Sequence, residues 1–520
     1  MNRADMLGRL RRHTRPWDLV IVGGGATGVG IAVDAASRGY ETLLLERGDF
    51  GKGTSSRSTK LVHGGVRYLE RGNIPLVVEA LRERGILRQN APHLVNDLAF
   101  VVPNYDWWEA PFYWLGLKVY DVLAGRHGFG SSEILSREET LARLPTIETA
   151  GLRGGVVYYD GQFDDARLLL NLAQTAAERG AVLLNYAEVT GVTKGPDGLV
   201  DGVLARDAEQ GERWRIGARV VVNAAGPFSD SVRRLAEADA RPLIAPSQGI
   251  HLVFDRTFLP GDSAIMVPRT SDRRVMFAIP WHGHTVVGTT DTPIAIPTPE
   301  PRPLEEEIVF ILETARKYLH KAPTRSDVLS VFVGIRPLVR SEGRRVTALL
   351  SRDHTIHVDA SGLVTTVGGK WTTYRRMAED TVDRAAELAR LPEKPCVTKT
   401  LRIHGYDTDA ERFGALKAYG SDAPGIQDLM RADSSLAVPL HPALPYTGAE
   451  VVWAARVEMA RTVEDILARR LRALFLNARA AVAMAPAVAK LAGRELGWDA
   501  DRQRGEADAF SELARGYMLA

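Results

Sequence analysis

The stretch that most limits how this chain can fold is Leu19-Val20-Ile21-Val22-Gly23-Gly24-Gly25-Ala26-Thr27-Gly28. Leu19 to Val22 is a short apolar run, the length of a buried parallel strand. Gly23, Gly25 and Gly28 follow at G-x-G-x-x-G spacing. The first glycine permits a tight turn, the second lets a pyrophosphate approach the backbone, and the third lets a helix pack against the strand. The following segment is small-sided (Gly30, Ala32, Ala35, Ala36), and Gly39 is placed to end it. Leu43 to Leu45 then makes a second apolar run that closes on Glu46. An acid at that point accepts hydrogen bonds from the ribose hydroxyls of an adenine dinucleotide. The glycines alone are weak evidence, since an ordinary turn before a helix uses them too. Strand, glycines, helix, strand and acid together predict a dinucleotide-binding unit.

A chain of 520 residues has room for roughly three domains. Its formal net charge is +2, so no bulk attraction to nucleic acid is expected. One cysteine, Cys396, excludes an internal disulfide and suits a reducing compartment. No apolar run reaches the roughly 18 residues of a spanning helix, and the N-terminus lacks a signal-peptide core. Residues 1–16 carry Arg3, Arg9, Arg11, Arg12 and Arg15, with Met6, Leu7 and Leu10 on one helical face. That segment reads as a frayed end, with a membrane-surface helix as the alternative.

After Glu46 the chain runs through Thr54-Ser55-Ser56-Arg57-Ser58-Thr59-Lys60-Leu61-Val62-His63-Gly64-Gly65-Val66-Arg67-Tyr68-Leu69-Glu70. Hydroxyls and glycines suggest a loop whose backbone meets a ligand. This block resembles the FAD-dependent, membrane-associated respiratory glycerol-3-phosphate dehydrogenases. The resemblance continues through Ala91-Pro92-His93-Leu94, Asp164-Asp165-Ala166-Arg167-Leu168, Asn223-Ala224-Ala225-Gly226-Pro227, Gly288-Thr289-Thr290-Asp291, Gly334-Ile335-Arg336-Pro337-Leu338 and Gly368-Gly369-Lys370-Trp371-Thr372-Thr373-Tyr374-Arg375. The blocks keep family order over about residues 17–390.

The resemblance implies an α/β flavoprotein of the glutathione-reductase and amino-acid-oxidase kind. Its FAD-binding, Rossmann-like domain is expected from 17–75, 160–240 and 330–392. An antiparallel-sheet substrate domain is inserted as 76–159 and 241–329, and a helical C-terminal domain occupies 395–520. Strand-like pieces at Ile250 to Phe254, Val275 to Ile279 and Thr285 to Val287 suit the inserted sheet. Helices are expected at 74–90, 166–179 and 303–319. Near the C-terminus, Thr447-Gly448-Ala449-Glu450 and Thr462-Val463-Glu464-Asp465 are cap-like starts. The cluster Arg469, Arg470 and Arg472 reads as a solvated face. Residues 107–124 are rich in aromatic and aliphatic groups, and suit either a core helix or a membrane interface.

The implied activity is oxidation of sn-glycerol 3-phosphate to dihydroxyacetone phosphate. The C2 hydride goes to flavin N5, a base takes the hydroxyl proton, and electrons pass to a membrane quinone. The family places substrate-phosphate contacts at positions matching Arg67 and Arg336, with Tyr68 beside them. Arginine suits a phosphate because it binds through two donors. His251 and His63 are the candidate bases, since the unperturbed imidazole pKa lies near operating pH. Lys370, at a helix start after Gly369, would favour negative charge on the reduced flavin. FAD contacts are expected from Gly23, Gly25, Gly28, Glu46, Thr54, Ser55, Ser56, Ala225, Gly226, Asp291, Gly369 and Lys370.

His282 with His284, and His354 with His357, lack companion ligands at metal spacing, so no metal is expected. The expected partners are glycerol 3-phosphate, a membrane quinone and the membrane surface, with a homodimer left open. The expected location is the cytoplasm, peripherally attached to the inner face of the cytoplasmic membrane. The competing readings are an oxidase that uses oxygen and a non-catalytic FAD-bound sensor.

Overall fold

A computed structural model describes residues 1–70, 72–268, 270, 274–340 and 354–519, with the side chains of Arg67 and Glu70 outside that set. The chain builds two large sheets. In the first, the order is His354–Val358, Val364–Gly368, Arg213–Asn223, Trp17–Val22, Thr42–Leu45, Val182–Leu184. The four central contacts are parallel, and the edge strand His354–Val358 is antiparallel. A hairpin, Ala187–Lys194 with Val200–Asp207, extends Arg213–Asn223. Leu19, Val20, Ile21, Leu43 and Leu44 are fully buried, as strands covered on both faces must be. Helix Ala26–Ser37 packs on this sheet through Gly28, Ala32 and Ala35.

Among the described residues the second sheet has ten strands. Its spine is Ile244–Asp255, which pairs antiparallel with both His284–Gly288 and Ser330–Val339. Val95–Asn104 and Gly154–Phe163 form a long antiparallel pair. One contact, Ser263–Val267 with Val95–Asn104, is parallel. The short strand Leu61–Val62 joins at the edge. Residues 61–62 and 330–339, drawn from sequence into the dinucleotide unit, therefore hydrogen bond into the second sheet. The strands expected near 250, 275 and 285 extend to Ile244–Asp255, Met276–Trp281 and His284–Gly288. Helices Ile74–Asn90, Asp165–Glu178 and Glu305–Tyr318 lie where the apolar periodicity puts them.

Beyond residue 395 the chain is mainly helical, with one small hairpin, Pro439–His441 with Leu444–Thr447. Thr447 and Glu450 close a reciprocal capping box on helix Gly448–Val457. Leu467, Leu474 and Phe475 share a core with Val253 and Phe332 of the second sheet.

Two segments differ from the sequence reading. Residues Arg3–Arg12 form a helix whose Met6, Leu7 and Leu10 are buried in the first core. Arg3 is buried too, 3.0 Å from Asp207, while Arg11 pairs with Glu212 and Arg15 with Glu41. The basic arm is docked, with Arg3, Arg11 and Arg15 paired to carboxylates and Arg9 donating to the Ala181 carbonyl. The second difference is the arginine cluster. Arg469, Arg470 and Arg472 are almost fully buried. Arg469 Nε lies 2.5 Å from Asp49, Arg470 binds the same carboxylate, and Arg472 donates to Asp165 at 3.0 Å and to the Ser56 carbonyl at 2.8 Å. A charge inside a protein persists only when paired, and these pairs bridge the C-terminal helices to the dinucleotide unit.

Candidate active site

One cavity of about 750 Å³ runs between the two sheets. Gly23, Gly25, Ser55 and Glu46 lie on its wall, and so do His63, His251, Arg336 and Lys370. The fold thus brings the glycine turn and the candidate chemical groups to a single space.

Gly23 has φ +111°, and a Cβ there would lie 2.7 Å from the Ala224 carbonyl oxygen. A side chain at Gly28 would strike the Gly23 carbonyl. These positions therefore require glycine for the strand–turn–helix to close. Glu46 accepts from the Gly24 amide at 2.6 Å and the Gly48 amide at 2.8 Å. Burial pushes its carboxyl above the usual range, against the pull of those two amides. Ser55 Oγ accepts from the Ala26 amide at 2.9 Å, and its carbonyl accepts from Trp371 Nε1 at 2.8 Å. Thr54, Ala225, Gly226 and Gly369 also line the cavity. Ser56 and Asp291 are not on its wall. Ser56 turns its carbonyl to Lys60 and Arg472 behind it. Asp291 accepts from Ser247 and from Arg336.

Arg336 extends from strand Ser330–Val339. Its guanidinium donates to Thr290 O at 2.9 Å, Thr289 Oγ1 at 3.2 Å and Gln248 O at 3.3 Å. Held by these acceptors, the group presents a fixed cation to the cavity. Arg67 belongs to the short helix Val66–Glu70, and its side chain lies outside the described residues. Tyr68 is not on the cavity wall, yet its ring lies 4.1 Å beneath Lys370 Nζ. Lys370 follows Gly368 and Gly369, both at positive φ, and caps Trp371–Thr373.

His251 is buried, with its ring stacked on Phe332 at 4.8 Å. Nε2 shares a 3.0 Å hydrogen bond with Thr59 Oγ1. Nδ1 is closed off from solvent and has no hydrogen-bond partner among the described residues, so Nε2 is the nitrogen that can exchange a proton. Burial, then Lys60, then Arg336, hold the imidazole well below its ordinary pKa. The sequence argument from an unperturbed imidazole therefore fails for this residue: it stays neutral at operating pH and is a weaker base. His63 is tied through its backbone to Thr372 Oγ1 at 3.2 Å.

Sequence reasoning assigned no role to Lys60, which is completely buried behind Thr59. Its Nζ donates to Asp165 at 2.7 Å and to Ser56 O at 2.8 Å. It also lies 5.0 Å from the Phe332 ring that carries His251. Burial, opposed by Asp165, lowers its pKa to about 7. The only local signal was a lysine directly before the apolar pair Leu61-Val62.

Among the described residues no group of three or more His, Cys, Asp or Glu side chains forms a metal cluster. His282 instead bonds Asp164 at 3.0 Å, and His354 bonds Asp380 at 3.0 Å.

Residues 18–375 match the family described as FAD dependent oxidoreductase, and 367–503 match the C-terminal domain of alpha-glycerophosphate oxidase. A probable mitochondrial glycerol-3-phosphate dehydrogenase of Caenorhabditis elegans is 41% identical over 99% of this chain and 75% of its own length. The mitochondrial enzyme of that name from Arabidopsis thaliana is 42% identical over 96% and 86%. The FAD-complexed glycerol-3-phosphate dehydrogenase from Bacillus halodurans superposes with TM-score 0.80 at 30% identity, covering 99% of this chain and 97% of the other.

Proposed function

Because the chain belongs to the FAD-dependent glycerol-3-phosphate dehydrogenases, we propose that it oxidises sn-glycerol 3-phosphate to dihydroxyacetone phosphate and delivers the electrons to a membrane quinone. One observation carries the reading. The glycine turn, Glu46, His251, Arg336 and Lys370 all open on the same cavity.

The residues fit FAD. The Gly25 position, with only Ser55 Oγ nearby, leaves room for a pyrophosphate, and Glu46 supplies the ribose acceptor. Bound FAD supplies the hydride acceptor. Arg336, with Arg67, binds the substrate phosphate by charge-assisted hydrogen bonds. His251 accepts the hydroxyl proton at Nε2, in partnership with the Thr59 hydroxyl, and His63 is the second candidate. Lys370 and the amides that follow it place positive charge where the reduced cofactor gains negative charge. Ser330–Val339 supplies Arg336, so we assign that strand to the substrate-binding part. We keep the other FAD-binding segments, apart from strand Leu61–Val62, and the helical part from 395 as our reading of the domains.

A quinone lies in the bilayer, so the enzyme must dock there. No described helix is long and apolar enough to cross a membrane. With the basic N-terminal segment packed down, the contact falls to the aromatic helix Glu109–Ala124 and the residues before it. Trp107 is 78% exposed, Leu115 63% and Val122 79%, while Leu117 and Tyr120 anchor the opposite face. That surface supports peripheral attachment to a membrane, which we place at the inner face of the cytoplasmic membrane.

Anaerobic addition of glycerol 3-phosphate to the purified holoprotein tests the activity. The flavin absorbance should bleach, and glycerol at equal concentration should leave it unchanged. A flavin that stays oxidised with glycerol 3-phosphate rejects the activity. Faster reoxidation by dissolved oxygen than by a quinone analogue rejects the quinone.

A further inference from the structure

A second cavity, of about 630 Å³, lies apart from the first and shares no lining residue with it. It sits where helix Ile74–Asn90, the turn after the aromatic helix and the segment 399–408 meet. Arg82, Arg88, Arg126 and Lys399 line it with no carboxylate among the described lining residues, and two of the four cations are engaged from outside, Arg88 by Asp97 at 2.9 Å and Lys399 by Glu379 at 3.4 Å. Among the described residues, neither Arg82 nor Arg126 reaches a carboxylate within ion-pair distance. The walls are fixed in place. Arg84, nearly fully buried, pairs with Asp160 at 2.5 Å and donates to the His127 carbonyl at 3.0 Å. A Cβ at Gly85 would collide with the His127 ring, so that glycine lets the loop seat against the helix. Arg88 stacks 4.7 Å over Phe129.

The local field agrees with the geometry. Burial, then Arg126, Arg82 and Arg84, push the His127 imidazole below its ordinary pKa. Thr400, Thr408 and Tyr406 add hydroxyl donors. The guanidinium groups of Arg82 and Arg126, beside hydroxyls and with no acid among the lining residues, make a receptor for a phosphate group, and the volume suits a small ligand.

We propose that this cavity is a second, non-catalytic anion site that binds a phosphate ester. Two sources carry that chemistry: a soluble organic phosphate and the headgroup of an anionic phospholipid. The second source is near at hand, because Val122 on the exposed apolar face lies only four residues before Arg126, which follows the end of the same helix.

The test compares the wild-type holoprotein with an Arg82→Ala/Arg126→Ala variant and an Arg82→Lys/Arg126→Lys variant. Each is titrated with pyrophosphate, in parallel with an Arg336→Ala background that removes a catalytic phosphate contact. Each is also co-sedimented with phosphatidylglycerol and phosphatidylcholine vesicles. If the ligand is soluble, the alanine variant binds pyrophosphate at least tenfold more weakly, the lysine variant keeps part of the affinity, and vesicle binding is unchanged. If the ligand is a headgroup, the alanine variant loses binding to phosphatidylglycerol vesicles alone, and pyrophosphate competes with those vesicles for the wild type. Equal behaviour of wild type and alanine variant in both arms overturns the proposal. Flavin reduction by glycerol 3-phosphate should be the same in all three proteins, so this proposal and the assigned activity fail separately.

Discussion

Lys60 Nζ lies 2.7 Å from Asp165 Oδ2, and neither side chain is exposed to solvent. The pair stands directly behind Thr59, the hydroxyl partner of His251. The proton-exchanging end of the cavity therefore rests on a buried charge whose lysine is poised near neutrality.

Lys60 should give the protein a distinctive dependence on pH. Its pKa falls from 10.5 to about 7 on folding. Below pH 7 both states hold the proton, and the folded state bears the full cost of a buried ammonium. From pH 7 to 10.5 the unfolded chain keeps a proton that the folded state has lost, so this group's contribution to stability rises with pH. In Lys60→Met that rise should vanish, giving a shallower slope in urea unfolding measured from pH 7 to 9. Asp165→Asn leaves both Lys60 and Arg472 short of a counter-charge, and should cost about 3–5 kcal/mol at pH 7.

His251→Asn should slow flavin reduction by about a hundredfold or more if Nε2 takes the proton. Because the imidazole is already neutral at operating pH, its removal should leave the rate profile between pH 6 and 9 unchanged in shape. An ionisation near 7 belongs to Lys60 and should disappear in Lys60→Met. Stopped-flow reduction across pH separates the two residues. A rate unaffected by His251→Asn passes the base role to His63.

Arg336→Ala should raise the glycerol 3-phosphate requirement by about 2 kcal/mol, roughly thirtyfold. FAD content should hardly change, because the cofactor contacts lie on other residues. Arg336→Lys should recover only part of the affinity, since an ammonium cannot hold Thr289, Thr290 and a phosphate in the same plane. Initial rates against substrate concentration, with flavin quantified by absorbance, provide the readout.

Leu115→Glu/Val122→Glu should reduce co-sedimentation with anionic vesicles while leaving flavin reduction intact, because both side chains are exposed. Insertion of apolar side chains resists salt, so the wild-type binding should survive high ionic strength. Binding that salt abolishes would shift the contact away from this helix.

Local pattern made the dinucleotide unit readable. Leu19 to Val22, three glycines and Glu46 are neighbours in sequence, and each acts on the next. Arg336 was found through its motif block and His251 as a candidate base, and both line the cavity. The charged interior was not readable in the same way. Arg469, Arg470 and Arg472 look like solvated residues because their partners, Asp49 and Asp165, lie more than 300 positions away. The same blindness applies to Arg3, whose partner Asp207 sits on a distant hairpin. Nor could spacing show that burial would strip His251 of its ordinary pKa, since that depends on Lys60 and Phe332 closing around it. Ser56 shows the limit at short range. It sits between cavity-lining neighbours, yet its backbone turns it inward.

The Asp49 carboxylate is neutralised by arginines 420 and 421 residues further along the chain. At ribosomal speeds of about 5–20 residues per second, that separation is roughly 20 to 80 s of synthesis. Throughout that interval the newborn dinucleotide unit carries an aspartate destined for the interior with nothing yet made to match it. Asp49 cannot reach its final pairing until Arg469 and Arg470 emerge. Ribosome-stalled chains ending before residue 464 should therefore be sensitive to protease and poor at retaining flavin, and chains only slightly longer should become resistant together with their cofactor.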